Sequence, residues 1–149
     1  LDESSELSVP QYCFDRLHRP RPRAELGPYL CKWASSAIDI SDGFAADIGH
    51  VLKASNVSAA IRLDEVPVCE AIKKISDKDL IWQLALAAGD DYEICFTLPA
   101  ENRTEFEEVT DVLDYPLSCV GEIAEGEGLK YLQKDGQELA IRLEGFEHF

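Results

Sequence analysis

Ala37-Ile38-Asp39-Ile40-Ser41-Asp42-Gly43-Phe44-Ala45-Ala46-Asp47-Ile48 changes its period in the middle. Residues 37–41 alternate apolar and polar, as a half-buried strand does. Asp42-Gly43 breaks the alternation. From Phe44 onward the apolar residues recur at helical spacing: Phe44, Ile48, Val51 and Leu52 share one face of a helix expected over 44–54, with Asn56 as its stop. A strand that runs directly into a helix places whatever lies at the junction beside unpaired helix N–H groups. Here the junction is acidic. Positions 39 and 41 of a strand point to the same side, which puts a carboxylate and a hydroxyl together, and Gly43 lets a backbone or a ligand approach closely. Hard oxygen ligands beside a helix N-terminus suit Mg²⁺ with phosphate. The alternative is purely structural: Asp42 caps the helix and Asp39 faces water.

Working outward, residues 1 to about 23 are expected to be extended, with prolines at 10, 20 and 22. Residues 26–36 suit a helix with Leu26, Leu30 and Trp33 on one face. Residues 57–63 read as a strand and 68–75 as a short helix. Asp79 is placed to cap a helix over 80–88. Residues 92–98 form a strongly apolar strand, and Pro99 opens a helix over 100–112. Residues 119–123 read as a strand. Residues 129–132 and 139–143 flank Lys134-Asp135-Gly136-Gln137, a hairpin turn signal. This order predicts one α+β unit, a mixed sheet with helices packed on it. No repeat or second domain is visible.

A second acidic cluster, Gly89-Asp90-Asp91-Tyr92-Glu93, precedes the apolar strand. Adjacent carboxylates repel unless they are solvated or balanced by a cation. Turn statistics favour reading them as a polar turn between helix and strand, and Tyr92 is expected to pack.

The chain has 149 residues, 46% of them hydrophobic, enough for a domain-sized core without staples. Its 29 Asp and Glu outnumber 14 Lys and Arg, for a formal charge of −15. Such a surface repels nucleic acid and anionic membranes alike. No apolar run reaches the ~18 residues of a membrane span, and the first ten residues do not read as a secretory signal. Five cysteines at 13, 31, 69, 95 and 119 form no CxxC, so a reducing cytoplasm is expected. His18, His50 and His148 lack metal-ligand spacing. The basic run His18-Arg19-Pro20-Arg21-Pro22-Arg23 reads either as a local anion patch or as a solvated linker. Ser35, Ser36 and Ser41 lack a nearby His-and-acid pattern, and neither a Walker A loop nor GxGxxG occurs.

Four stretches taken together resemble the C-terminal half of thiamine-monophosphate kinases, members of the aminoimidazole-ribonucleotide-synthetase-like superfamily. They are the basic run 18–23, the motif 37–48, Ala88-Gly89-Asp90-Asp91-Tyr92-Glu93 leading into Cys95-Phe96-Thr97, and Gly145-Phe146-Glu147-His148-Phe149. The resemblance covers about 17–149 and leaves residues 1–16 as a linker or remnant. It implies a fold like the C-terminal domain of aminoimidazole ribonucleotide synthetase. It also implies an enzyme that moves the γ-phosphoryl of ATP onto thiamine monophosphate to give thiamine diphosphate, with several Mg²⁺ ions. By the resemblance, Asp39 and Asp42 hold Mg²⁺, Ser41 contacts ATP, Asp90 lies near the thiamine moiety and Phe146 touches the substrate rings. The chain departs from the family pattern at Ala88, where a second glycine is common, at Asp90, where Glu is commoner, and at Phe146, where Tyr is common. The family's ATP-binding N-terminal half is absent from this sequence, so the domain alone is expected to be inactive. The full protein is expected to be a cytoplasmic homodimer. A sibling enzyme of purine synthesis, selenophosphate synthesis or hydrogenase maturation is the nearest alternative, and a noncatalytic interaction domain is a third.

Overall fold

The structure, a computed structural model, describes residues 9–74, 77–113 and 116–143. The decisive stretch folds as its period requires. Strand β1 spans Ser36–Ile40, with Ser36, Ile38 and Ile40 half-buried and Ala37 and Asp39 exposed. Helix α3 spans Phe44–Ser55 and buries Phe44, Ile48 and Leu52, one residue per turn of the same face. Asn56 ends it in the left-handed conformation (φ 54°), its N–H bonding to the carbonyls of Leu52 and Lys53.

Strand β2, Val57–Arg62, follows at once and becomes the centre of a three-stranded sheet. It pairs antiparallel with β4, Gly121–Glu125, and parallel with β5, Gly128–Leu132. Strand β1 pairs antiparallel with β3, Glu93–Thr97, in a separate two-stranded sheet. The α+β class with a mixed sheet is therefore present, with its strands divided between two sheets. Helix α3 packs against β1, β2 and β5 and so joins the two sheets. Its buried face meets Ala59, Ile61, Leu63, Leu86 and Tyr131 in the main core. A second core forms where Leu26 and Leu30 meet Phe106, flanked by Trp33, Ile94 and Phe96. Strand β3 serves both cores, because its alternate side chains point to opposite faces: Cys95 to the first, Ile94 and Phe96 to the second.

Several local expectations give way. The extended course expected up to residue 23 is replaced over Val9–His18 by helix α1. Pro10 sits in its first turn, where a missing N–H removes no intrahelical bond. A 3₁₀ turn at Ala24–Leu26 leads into α2, Gly27–Trp33, which is shorter than expected. Helix α4 is a single turn, Glu70–Lys73. Helix α5, Lys78–Leu86, is capped by Asp77 and not by Asp79. The Asp77 carboxylate reaches the N–H groups of Asp79 and Leu80, two and three residues on, which is the reach a cap requires. Helix α6 covers Arg103–Thr110 after a 3₁₀ turn at Ala100–Asn102. Strand β4 begins two residues later than its apolar pattern suggests. The turn at 134–137 forms, closed by Gly136 N–H to Gln133 O at 2.8 Å, but residues 139–143 make no strand. After the turn, the Leu132–Glu138 bridge and a bond from Leu139 N–H to the Tyr131 carbonyl at 2.8 Å hold the chain beside β5.

Candidate functional site

The two acidic motifs meet. Strand β1 ends at Ile40, and the chain bends through Ser41 and Asp42 before α3 begins. Opposite it, the segment between α5 and β3 crosses the same end of the two-stranded sheet. Asp90 N–H donates to the Ser41 carbonyl at 2.8 Å, and Tyr92 N–H donates to the Ile40 carbonyl at 3.0 Å. Two glycines permit this approach. A Cβ on Gly89 would lie 2.4 Å from the Ser41 carbonyl oxygen. A Cβ on Gly43, which has φ 104°, would lie 2.9 Å from the Ala87 backbone. Neither position tolerates a side chain without movement of one loop.

Asp47 shapes the first loop from below. It lies in the first turn of α3, is only 3% exposed, and accepts the Ser41 N–H at 3.0 Å and the Asp42 N–H at 3.1 Å with one carboxylate oxygen. A carboxylate bonded to backbone donors at a helix start is well placed for both hydrogen bonding and the helix dipole. Sequence reasoning gave Asp47 no role. The available signal was an acid three residues after Phe44, on the face the helix buries.

The second loop carries strain. Asp90 (φ 64°) and Tyr92 (φ 52°) are both left-handed, a conformation that side chains other than Asn, Asp and Gly rarely take. The Tyr92 hydroxyl donates to Asp90 Oδ1 at 3.2 Å. Tyr92 is exposed, contrary to the expectation that it packs. Partial burial of the Asp91 carboxyl, with repulsion from Glu93 and Asp90 and against attraction by Arg16, pushes it up to about 6. The residue as a whole is exposed, so water screens part of this effect. Glu93 is gripped by Arg16 at 2.5 Å and by Arg23 through two contacts at 2.6 and 2.7 Å.

Asp39 is exposed on β1, while Ser41 and Asp42 are half-buried in the bend. The idea that Asp39 and Ser41 share a strand face fails, because the strand stops before Ser41. Asp42 is not the helix cap; Gly43 holds that position. Asp90 is exposed and hydrogen-bonded to the first loop. Phe146 lies outside the described residues. Among the described residues no three His, Cys, Asp or Glu side chains gather into a metal cage. Two carboxylates in one short stretch nevertheless suit Mg²⁺, which takes one or two carboxylates and fills its remaining positions with water and phosphate oxygen. Among the described residues every cysteine is free, and no helix is long and apolar enough to cross a membrane.

The chain is 40% identical over 152 residues to the thiamine-monophosphate kinase of Haemophilus influenzae, a match covering all of this chain and 46% of that protein. The crystal structure of thiamine-monophosphate kinase from Stenotrophomonas maltophilia K279a superposes with a TM-score of 0.76 at 39% identity, over 87% of this chain and 40% of that one. By sequence and fold the chain belongs with the C-terminal part of the thiamine-monophosphate kinases. A structure described as AaThiL complexed with AMPPCP and TMP covers 99% of the chain and 44% of its own, with a TM-score of 0.73 and 28% identity. The hydrogenase maturation protein HypE of E. coli shares the fold, with a TM-score of 0.60 at 16% identity. No family model matches the sequence. The chain spans less than half the length of the curated thiamine-monophosphate kinases it matches.

Proposed function

We propose that this chain acts as the C-terminal part of an ATP-dependent kinase that converts thiamine monophosphate to thiamine diphosphate. One observation carries the reading: the whole chain matches kinases of that name. The hydrogen-bonded meeting of the two aspartate loops supports it. Because the chain is under half the length of those relatives, the activity belongs to a longer protein. Its N-terminal part would supply more of the nucleotide site and the contacts of a homodimer working in the cytoplasm.

The chemistry asks little of a general base. The acceptor is a phosphate oxygen whose second pKa is ~6, so it is already ionised at neutral pH. The barrier lies in bringing two polyanions together, in line, and in spreading the charge of the transferred group. Asp39 and Asp42 would hold Mg²⁺, which when bound neutralises phosphate charge. Ser41 has its N–H committed to Asp47 and its carbonyl to Asp90, which leaves its hydroxyl to contact ATP. The first N–H groups of α3 open at the same bend and suit a phosphate. Asp90, on the facing loop, presents a carboxylate to the cationic thiazolium ring. Phe146 would contact the substrate rings by stacking or cation–π attraction.

The test is thiamine diphosphate formation by the full-length protein from ATP, Mg²⁺ and thiamine monophosphate. The unaltered protein should form product. Asp42→Asn should lower kcat by roughly 100-fold or more, on the scale of lost electrostatic stabilisation. Asp90→Asn should raise the KM for thiamine monophosphate with kcat little changed, as loss of uniform binding does. A folded protein that makes no product overturns the reading.

A further inference from the structure

The basic run at 18–23 has no role in the chemistry above. Its last residue, Arg23, turns inward. Arg23 Nε and Nη2 donate to the two Glu93 carboxylate oxygens at 2.7 and 2.6 Å. Arg16, from α1, donates to Glu93 Oε1 at 2.5 Å and to the Asp91 carbonyl at 3.1 Å. The arginine side chains are only 25% and 19% exposed, so water screens these contacts less than at an open surface. A fork-to-carboxylate pair fixes orientation as well as distance. Glu93 is the first residue of β3 and directly follows the left-handed Tyr92.

A left-handed Tyr92 two residues after a left-handed Asp90 persists only where its surroundings over-determine it. Here the restraints lie at both ends. The Ser41 and Ile40 carbonyls hold Asp90 and Tyr92 from the sheet side, and the arginines hold Asp91 and Glu93 from the other. Both guanidinium groups meet the Glu93 carboxylate, and Arg16 also the Asp91 carbonyl, while the Asp90 carboxylate accepts from the Tyr92 hydroxyl.

We infer that Arg16 and Arg23 are positioning residues that, through Glu93 and the Asp91 carbonyl, lock the strained 90–92 loop so that Asp90 meets the acceptor substrate. This inference rests on the kinase reading and adds a device to it. Neither arginine need touch ATP or the acceptor. Losing the clamp relaxes the loop, and the substrate must then order it on binding. The loss should therefore fall on the KM for thiamine monophosphate and spare the KM for ATP.

The experiment uses the full-length protein with Arg23→Gln, Arg23→Lys and Arg16→Gln, each also combined with Asp90→Asn. Amide hydrogen exchange at Asp90 and Tyr92 is read beside steady-state kinetics. Arg23→Gln should speed exchange at both amides while β2 stays protected. It should raise the KM for thiamine monophosphate roughly tenfold, the loss expected of one charge-assisted contact, at unchanged KM for ATP. Arg23→Lys, which keeps the charge without the fork, should fall between. In the Asp90→Asn background Arg23→Gln should add no further rise. Unchanged exchange, equal rises in both KM values, or the same factor in the Asp90→Asn background would each overturn the inference. If Arg23→Gln unfolds the protein, Arg23→Lys and Arg16→Gln decide on the same readouts. An unaltered protein that is inactive with thiamine monophosphate overturns the kinase reading, and with it the role toward that acceptor. The exchange rates then still decide whether the arginines hold the loop.

Discussion

Asp47 contributes to the site without being one of its expected ligands. Its buried carboxylate ties down the N–H groups of Ser41 and Asp42, and so sets the bend from which Asp42 projects. Asp47→Ala should leave two donors without their acceptor, costing roughly 1–3 kcal/mol for each. Asp47→Asn keeps an acceptor oxygen in place and should cost less. Denaturant unfolding of the two variants measures the difference; equal losses would mean that the hydrogen bonds are not what Asp47 supplies. Asp91 gives a pH signature. Its folded-state value, raised to about 6, means that the fold binds this proton more tightly than the unfolded chain does. The stability it contributes is full below the ordinary carboxylate range of ~4 and is lost as pH rises through about 6. Asp91→Asn should therefore gain on the unaltered protein between those limits and hold a constant lead above them. Parallel melting curves across that window would contradict the assignment, and exposure of the residue keeps the expected gap small. At this scale the motifs single out Asp39, Ser41, Asp42 and Asp90, and the structure joins the loops that carry Ser41 and Asp90 by a backbone hydrogen bond. Asp47 was visible as an acid on an apolar face, but a helix pattern does not reveal which loop N–H groups will be within reach.

At the scale of elements, the legible parts are those whose burial is apolar and periodic. Helix α3 and strand β3 match their patterns within a residue or two at each end. Helix α1 was missed for a physical reason. The prolines at 10, 20 and 22 argue for an extended course, yet Pro10 falls in the first turn of α1; Phe14 and Leu17, at helical spacing, stay 57% and 70% exposed, and among the described residues Arg16 links α1 to Glu93 and the Asp91 carbonyl. The 139–143 segment failed in the opposite way: it is apolar and begins on the open edge of β5, with Leu139 N–H bonded to the Tyr131 carbonyl, but it then contributes partly buried side chains to the core without continuing the ladder. Helix α6 holds the second core through Phe106, which is 2% exposed and lies edge-on to Trp33, 6.3 Å between ring centres, and 5.3 Å from Phe96. Phe106→Ala should destabilise the fold by about 3–5 kcal/mol. Thermal unfolding tests this, and a loss below ~1 kcal/mol would show that the site can collapse around the gap.

For the whole molecule, the order of elements was enough for the α+β class. The split into two sheets was not legible, because pairing β1 with β3 and β2 with both β4 and β5 depends on long-range contacts that no local pattern encodes. Charge works at this scale too. On the proposed kinase reading, a chain of net charge −15 would need local positive help beside two phosphorylated substrates, which metal ions and the α3 N-terminus would provide at the bend. On the proposed reading this chain carries the paired aspartate loops of a site completed by the rest of a longer kinase. The most direct test compares thiamine diphosphate formation by the full-length protein and by this chain alone, at equal concentration with ATP, Mg²⁺ and thiamine monophosphate. Product is expected from the full-length protein and none from the folded chain alone. Robust turnover by this chain alone would contradict it.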